Sequence, residues 1–123
     1  MAGTSTADLC FETATALAAR IRVGELSSAE VTDAYLARIA AHNSTINAIV
    51  QLFERDARSR AKQADEALAR GETWGPLHGV PVTIKEMFLM ANTPSTLNSK
   101  RMKDFVAPED GLLVKRLQSA GAV

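Results

Sequence analysis

The chain has 123 residues, and its 14 basic and 14 acidic side chains cancel to a net charge of zero. That balance offers no field to draw it to nucleic acid or an anionic membrane, and no basic face typical of RNA- or DNA-binding modules stands out. With 46% apolar and 23% charged residues the composition is globular rather than disordered, sufficient for one ordinary domain or part of a larger one.

The opening MAGTSTADLCFE has neither a positive n-region nor an apolar h-region, so it does not read as a secretory signal. The single cysteine, Cys10, cannot form an internal disulfide, which suits a reducing compartment. No uncharged apolar run approaches the roughly 18 residues of a membrane span. The expectation is a cytoplasmic chain without a membrane anchor.

Helical periodicity dominates as far as Gly75. Phe11 to Val23 sets Ala14, Leu17 and Ile21 at spacings of three and four, and Gly24 follows as a C′ residue. Ser27-Ser28-Ala29-Glu30 matches a capping box, in which Ser27 accepts from the Glu30 amide and Glu30 reaches back. The helix it opens is expected to reach His42, with Val31, Tyr35 or Leu36, and Ile39 on one side, before Asn43-Ser44-Thr45 breaks it. The β-branched, apolar stretch Ala48 to Phe53 predicts a strand. A third helix runs from Glu54 to Arg70 and closes at Gly71; its mixed charges read as a solvated outer face.

The pattern changes at Gly75. Val80 to Lys85 predicts a second strand, entered by a tight Gly- and Pro-rich turn. Met87 to Ala107 is irregular, with Pro94, Ser95, Asn98 and Ser99 favouring turns. From Glu109 or Asp110 a fourth helix carries Leu112, Leu113, Leu117 and Ala120 as its apolar stripe and ends at Gly121. Ala122-Val123 then opens a further strand. Long helices with only two or three short strands leave apolar strand faces uncovered, so the expectation is the N-terminal piece of a longer chain.

Few residues offer chemistry. Cys10, His42 and His78 lack ligand spacing relative to one another, so no metal site is expected. His42 reads as a helix-closing residue and His78 as a packing or hydrogen-bonding turn residue rather than a base. Trp74 reads as an amphipathic cap over the core. No G-x-S-x-G elbow, P-loop or G-x-G-x-x-G occurs. Lys85 admits two readings. A strand-end lysine often snorkels its charge to water. A buried one has its charged form disfavoured and can serve as a general base toward a hydroxyl nucleophile.

Residues 75–88, GPLHGVPVTIKEMF, resemble the lysine-bearing strand of amidase signature enzymes. ELSSAEVTDAYLARIAAHNSTINAIV and DFVAPEDGLLVKRLQSAGAV resemble the segments on either side, in order and at compatible spacing. The resemblance implies an α/β fold, a mixed β-sheet covered by α-helices, of which this chain holds an incomplete N-terminal part. Residues 1–75 form a mainly helical segment, and 76–123 begin the catalytic core. It implies hydrolysis of a carboxylic amide C–N bond by a Ser-cisSer-Lys triad, with Lys85 as a buried general base rather than a snorkelling residue, a small-molecule amide substrate and no cofactor or metal. Both serines lie downstream in the family, and Ser95 and Ser99 do not match their motifs, so the fragment alone is expected to be inactive.

Some positions depart from the family pattern. Glu86 stands where aspartate is commonest, Leu89 where a polar residue is frequent, and Asn92 and Asn98 where glycine is frequent. Asparagine tolerates left-handed backbone better than other non-glycine residues, so the two turns are expected to survive. The A subunit of a tRNA-dependent amidotransferase is an alternative that would bring nucleic acid into play, and a noncatalytic truncated product or interaction module is another. A homodimer through the amphipathic N-terminal helix pair is also open.

Overall fold

The computed structural model describes residues 9–123. Among them run α1 (Ala14–Arg22), α2 (Ser28–Ile46), α3 (Glu54–Ala69), a single 3-10 turn (Lys100–Met102) and α4 (Leu112–Ser119).

The helix ends follow local chemistry. Thr13 caps α1, its hydroxyl accepting from Ala16 N at 3.1 Å. The capping box at α2 is complete: Glu30 N donates to Ser27 Oγ at 3.0 Å and Ser27 N donates to Glu30 Oε2 at 2.8 Å. Three helices close in the same reciprocal two-bond arrangement, each at one of the anticipated glycines. Gly24 and Glu25 donate to Ile21 and Arg20, Gly71 and Glu72 to Leu68 and Ala67, Gly121 and Ala122 to Gln118 and Leu117.

The core gathers Leu17, Ala18 and Ile21 of α1, Val31 of α2 and Val80, with Leu26, Tyr35 and Leu68 at its edge. Ile21 and Val31 are fully buried, which contributes roughly 1.5–3 kcal/mol each. α3 turns Ala61, Ala64 and Ala67 inward and packs against α2. Beside Ala64, Asp65 reaches across to α2: Ser28 N and Ala29 N donate to its two carboxylate oxygens at 2.6 and 3.0 Å. Two of the amides that every helix start leaves open are thus met by a neighbouring helix.

Several expectations are corrected. α2 does not break at Asn43-Ser44-Thr45 but continues through Ile46 and ends at Asn47, whose φ of 48° is left-handed. His42 is therefore an exposed residue inside the helix rather than its closing one. No strand occurs among the described residues. At Ala48 to Phe53 the physical reason is Asn43, whose amide takes both main-chain groups of Ile49: Nδ2 donates to Ile49 O at 2.9 Å and Ile49 N donates to Oδ1 at 2.8 Å. Those groups are then unavailable to a ladder. In α4 the buried residue is Val114, whereas Leu112 and Leu113 are exposed. The helix starts two residues later than the acidic pair suggested, because Asp110 is spent on Ala91 N at 2.7 Å.

The solvated-face reading of α3 holds for most of its charges, and Asp65 and Arg60 depart from it. Arg60 Nε donates to Ala122 O at 2.7 Å and its terminal nitrogen to Gln118 O at 3.1 Å. Its guanidinium also lies 4.9 Å from the Trp74 ring centre, tying α3 to the end of α4.

Candidate active site

The lysine-bearing segment is entered through a buried turn. His78 is 2% exposed, and its ring is held at both nitrogens. Trp74 N donates to Nδ1 at 3.0 Å, so Nδ1 is the unprotonated nitrogen and Nε2 donates to Ala64 O at 3.0 Å. The ring packs edge-on to Trp74 at 5.1 Å between centres. With no nitrogen left for a substrate, His78 is the hydrogen-bonding turn residue that the sequence suggests.

Gly79 comes next, at a φ of 75°. A Cβ built there would stand 2.9 Å from Ser28 Cβ, and the Gly79 carbonyl accepts from the fully buried Ser28 hydroxyl at 2.7 Å. Only glycine gives this combination of left-handed backbone and close approach. Beyond it, Val80 O accepts from Val123 N at 2.9 Å and Val82 N donates to Val123 O at 2.9 Å. The two bonds bracket Pro81, which has no N–H to offer, in the pattern of a parallel pair. One such exchange does not make a strand.

Lys85 ends this extended stretch with an exposed side chain. The expectation of a buried amine does not hold among the described residues, because nothing in them covers that face: Val82, Met87 and Phe88 are exposed beside it. The backbone there is fixed, since Lys85 O accepts from Phe88 N at 2.9 Å.

Glu86 organises the loop beyond the lysine. Its carboxylate accepts from Thr96 N, from Thr96 Oγ1 at 3.0 Å and from Leu97 N at 3.0 Å. The Thr96 N–H foremost, helped by the Thr96 hydroxyl and the Leu97 N–H, holds the carboxyl below its ordinary value despite the opposing cost of burial. Its main-chain carbonyl accepts from Ser95 Oγ at 2.8 Å. Ser95 is thus a buried structural residue, not a free nucleophile. Ser99 N donates to Thr96 O at 2.9 Å, closing the next turn. Asn92 and Asn98 take φ values of 61° and 53°, the left-handed turns anticipated for asparagine there. Leu97 also lies at φ 50°, which no feature of the sequence announced.

Sequence reasoning missed Asp65, Ser28 and the extent of Glu86's role. Nothing in local spacing signals any of them, since their partners lie between nine and 51 positions away. Among the described residues no three His, Cys, Asp or Glu side chains come together as a metal site, and no helix is long and apolar enough to cross a membrane.

Residues 30–123 match the family described as Amidase. The chain belongs to the amidase signature family. Relatives of this chain include the A subunit of the glutamyl-tRNA(Gln) amidotransferase of Streptomyces coelicolor, 38% identical over 94% of this chain and 23% of that protein. Its counterpart in Desulfotalea psychrophila is 40% identical over 86% of this chain and 22% of its own length. Among solved structures, a fatty acid amide hydrolase superposes with a TM-score of 0.91 at 28% identity, covering 98% of this chain and 21% of that one. The native peptide amidase of Stenotrophomonas maltophilia superposes at 0.75 with 38% identity, covering 99% and 24%. The chain thus spans about a quarter of the length of the proteins it matches.

Proposed function

We propose that this chain is the N-terminal portion of a single amidase domain whose complete form hydrolyses a carboxylic amide C–N bond. What carries the reading is the position of Lys85: it ends the extended stretch of GPLHGVPVTIKEMF inside the matched region 30–123, after a turn that Gly79 and Ser28 hold tightly. In the complete protein the segments around Val80–Lys85 and Ala122–Val123 join a mixed sheet covered by helices. The sheet and the remaining domain cover the face on which Lys85 is exposed here.

In this mechanism Lys85, as the free amine, accepts a proton from a bridging serine, which takes one from the serine nucleophile. The nucleophile attacks the amide carbonyl, and the amine leaves with a proton returned through the same relay. Water then resolves the acyl-enzyme. Negative charge developing on the carbonyl oxygen is met by backbone amides. Both serines belong to the rest of the domain, so residues 1–123 alone are expected to be inactive. The proposal includes a cytoplasmic protein that uses no cofactor.

A second reading is the A subunit of an amidotransferase, which hydrolyses glutamine for a partner protein. The 38% identity to the Streptomyces coelicolor amidotransferase chain favours it, and the equal 38% to the peptide amidase leaves the simple amidase reading level with it.

The test measures ammonia release by the full-length protein from primary carboxamides, peptide C-terminal amides and L-glutamine. Lys85→Ala is expected to lower turnover by roughly 10²–10⁴-fold while leaving the melting temperature in place. Normal turnover by that variant would falsify the role given to Lys85. Release from glutamine alone, by a protein that copurifies with further subunits, selects the amidotransferase reading.

A further inference from the structure

Lys85 makes no ion pair among the described residues, and its side chain is exposed. Its direction must therefore come from the main chain on either side. On the N-terminal side the anchors are the Ser28–Gly79 bond and the exchange between Val80, Val82 and Val123. On the C-terminal side Lys85 O accepts from Phe88 N at 2.9 Å, which closes a local turn, and the anchor that ties this turn to the rest of the fold is the next residue. Glu86 is fixed twice to the same stretch of chain: its carbonyl accepts from Ser95 Oγ at 2.8 Å, and its carboxylate accepts from Thr96 N, Thr96 Oγ1 and Leu97 N. That stretch is itself fixed, since Ser95 N donates to Phe105 O at 3.1 Å and Ala107 N to Thr93 O at 2.9 Å.

The arrangement holds a costly backbone. Leu97 lies at φ 50°, where an L side chain is disfavoured, and its N–H is turned onto both Glu86 oxygens at 3.0 and 3.3 Å. Hydrogen bonds to an ionised carboxylate are stronger than neutral ones, so this contact maintains a conformation the loop would not hold alone.

We infer that Glu86 is a positioning residue for Lys85: by clamping the 95–97 turn it fixes the peptide that leaves Lys85, and with it the line along which the amine meets its hydroxyl partner. The inference rests on the reading of Lys85 as the general base. Glu86 acts through Lys85 and touches no substrate. Small displacements of a catalytic group reduce the chemical step without weakening substrate binding to the same degree.

The test uses the full-length protein and its best substrate from the ammonia-release panel, with Lys85→Ala, Glu86→Gln and Glu86→Asp measured side by side. Glu86→Gln keeps the shape but sets a neutral amide, half of it a donor, against three donors. It is expected to lower kcat about tenfold or more, with KM within about twofold. Glu86→Asp keeps the charge on a shorter stem and is expected to recover most of the loss. A fall confined to KM, or a wild-type kcat in Glu86→Gln beside an inactive Lys85→Ala, overturns the inference and leaves the role of Lys85 intact. Full turnover in Lys85→Ala instead overturns the reading beneath it. Should Glu86→Gln not fold, Thr96→Val carries the test, because it removes one donor and leaves the carboxylate: a kcat lowered about threefold at unchanged KM supports the inference, and an unchanged kcat overturns it.

Discussion

Replacing Gly79 by alanine perturbs the entrance to the lysine segment at one atom. Gly79 holds φ at 75°, a conformation that costs an L residue roughly 1–2 kcal/mol. The new methyl would lie 2.9 Å from Ser28 Cβ and 3.0 Å from Ser28 Oγ, and Ser28 is fully buried with no open side to move into. Relief requires displacing the α2 N-terminus or the turn, and either breaks the 2.7 Å bond from Ser28 Oγ to Gly79 O. A buried polar group left unsatisfied costs about 1–3 kcal/mol. Together Gly79→Ala is expected to cost on the order of 3 kcal/mol, a large share of the ~5–15 kcal/mol that holds a domain folded. Urea denaturation of wild type, Gly79→Ala, Ser28→Ala and the double variant measures it. Ser28→Ala alone should cost about 1–2 kcal/mol, and the double variant less than the sum, because both single changes remove the same bond. A Gly79→Ala protein within about 0.5 kcal/mol of wild type, or strictly additive effects, would refute the account of this turn.

Two further outcomes test the helix ends. Asp65→Ala should destabilise by about 1–2 kcal/mol in a thermal or urea melt, since it strands the Ser28 and Ala29 amides; Asp65→Asn, retaining one acceptor, should cost less. At Glu30 the Ser27 backbone N–H, and then its hydroxyl, depress the carboxyl below its ordinary 4.5. A depressed folded value means stabilisation that is present above the unfolded value and lost as pH falls through the folded one. Stability of the wild type should therefore fall more steeply below about pH 4.5 than that of Glu30→Gln, and parallel acid limbs would argue against the capping box.

The parts legible in the sequence are those whose causes are local. The capping box at Ser27 and Glu30, the closures at Gly24, Gly71 and Gly121, and the left-handed asparagines at 92 and 98 each depend on groups within a few positions, and each is found. His78 as a bonded turn residue and the tight Gly- and Pro-rich turn before Val80 were readable from the same turn chemistry, whereas the strict need for glycine at 79 was not, because it comes from Ser28 across the fold. The strand expected at 48–53 failed by a similarly short-range contact, but one that composition conceals: propensity counts β-branched side chains and is blind to Asn43 occupying both main-chain groups of Ile49.

By itself the sequence determined the start of α2, the closures of α1, α3 and α4 and where Lys85 stands, because backbone amides and carbonyls at those helix ends are satisfied by near neighbours. Only tertiary structure decided that Asp65 closes the start of α2, that Ser28 holds Gly79 and that Glu86 gathers the 95–97 turn. Each of these is a polar bond across a fold, and its partner is chosen by packing rather than by spacing. It also decided that Lys85 is exposed among the described residues. Burial depends on what lies over a side chain, and that is a property of the neighbours a folded chain brings there, not of the residues beside it in sequence.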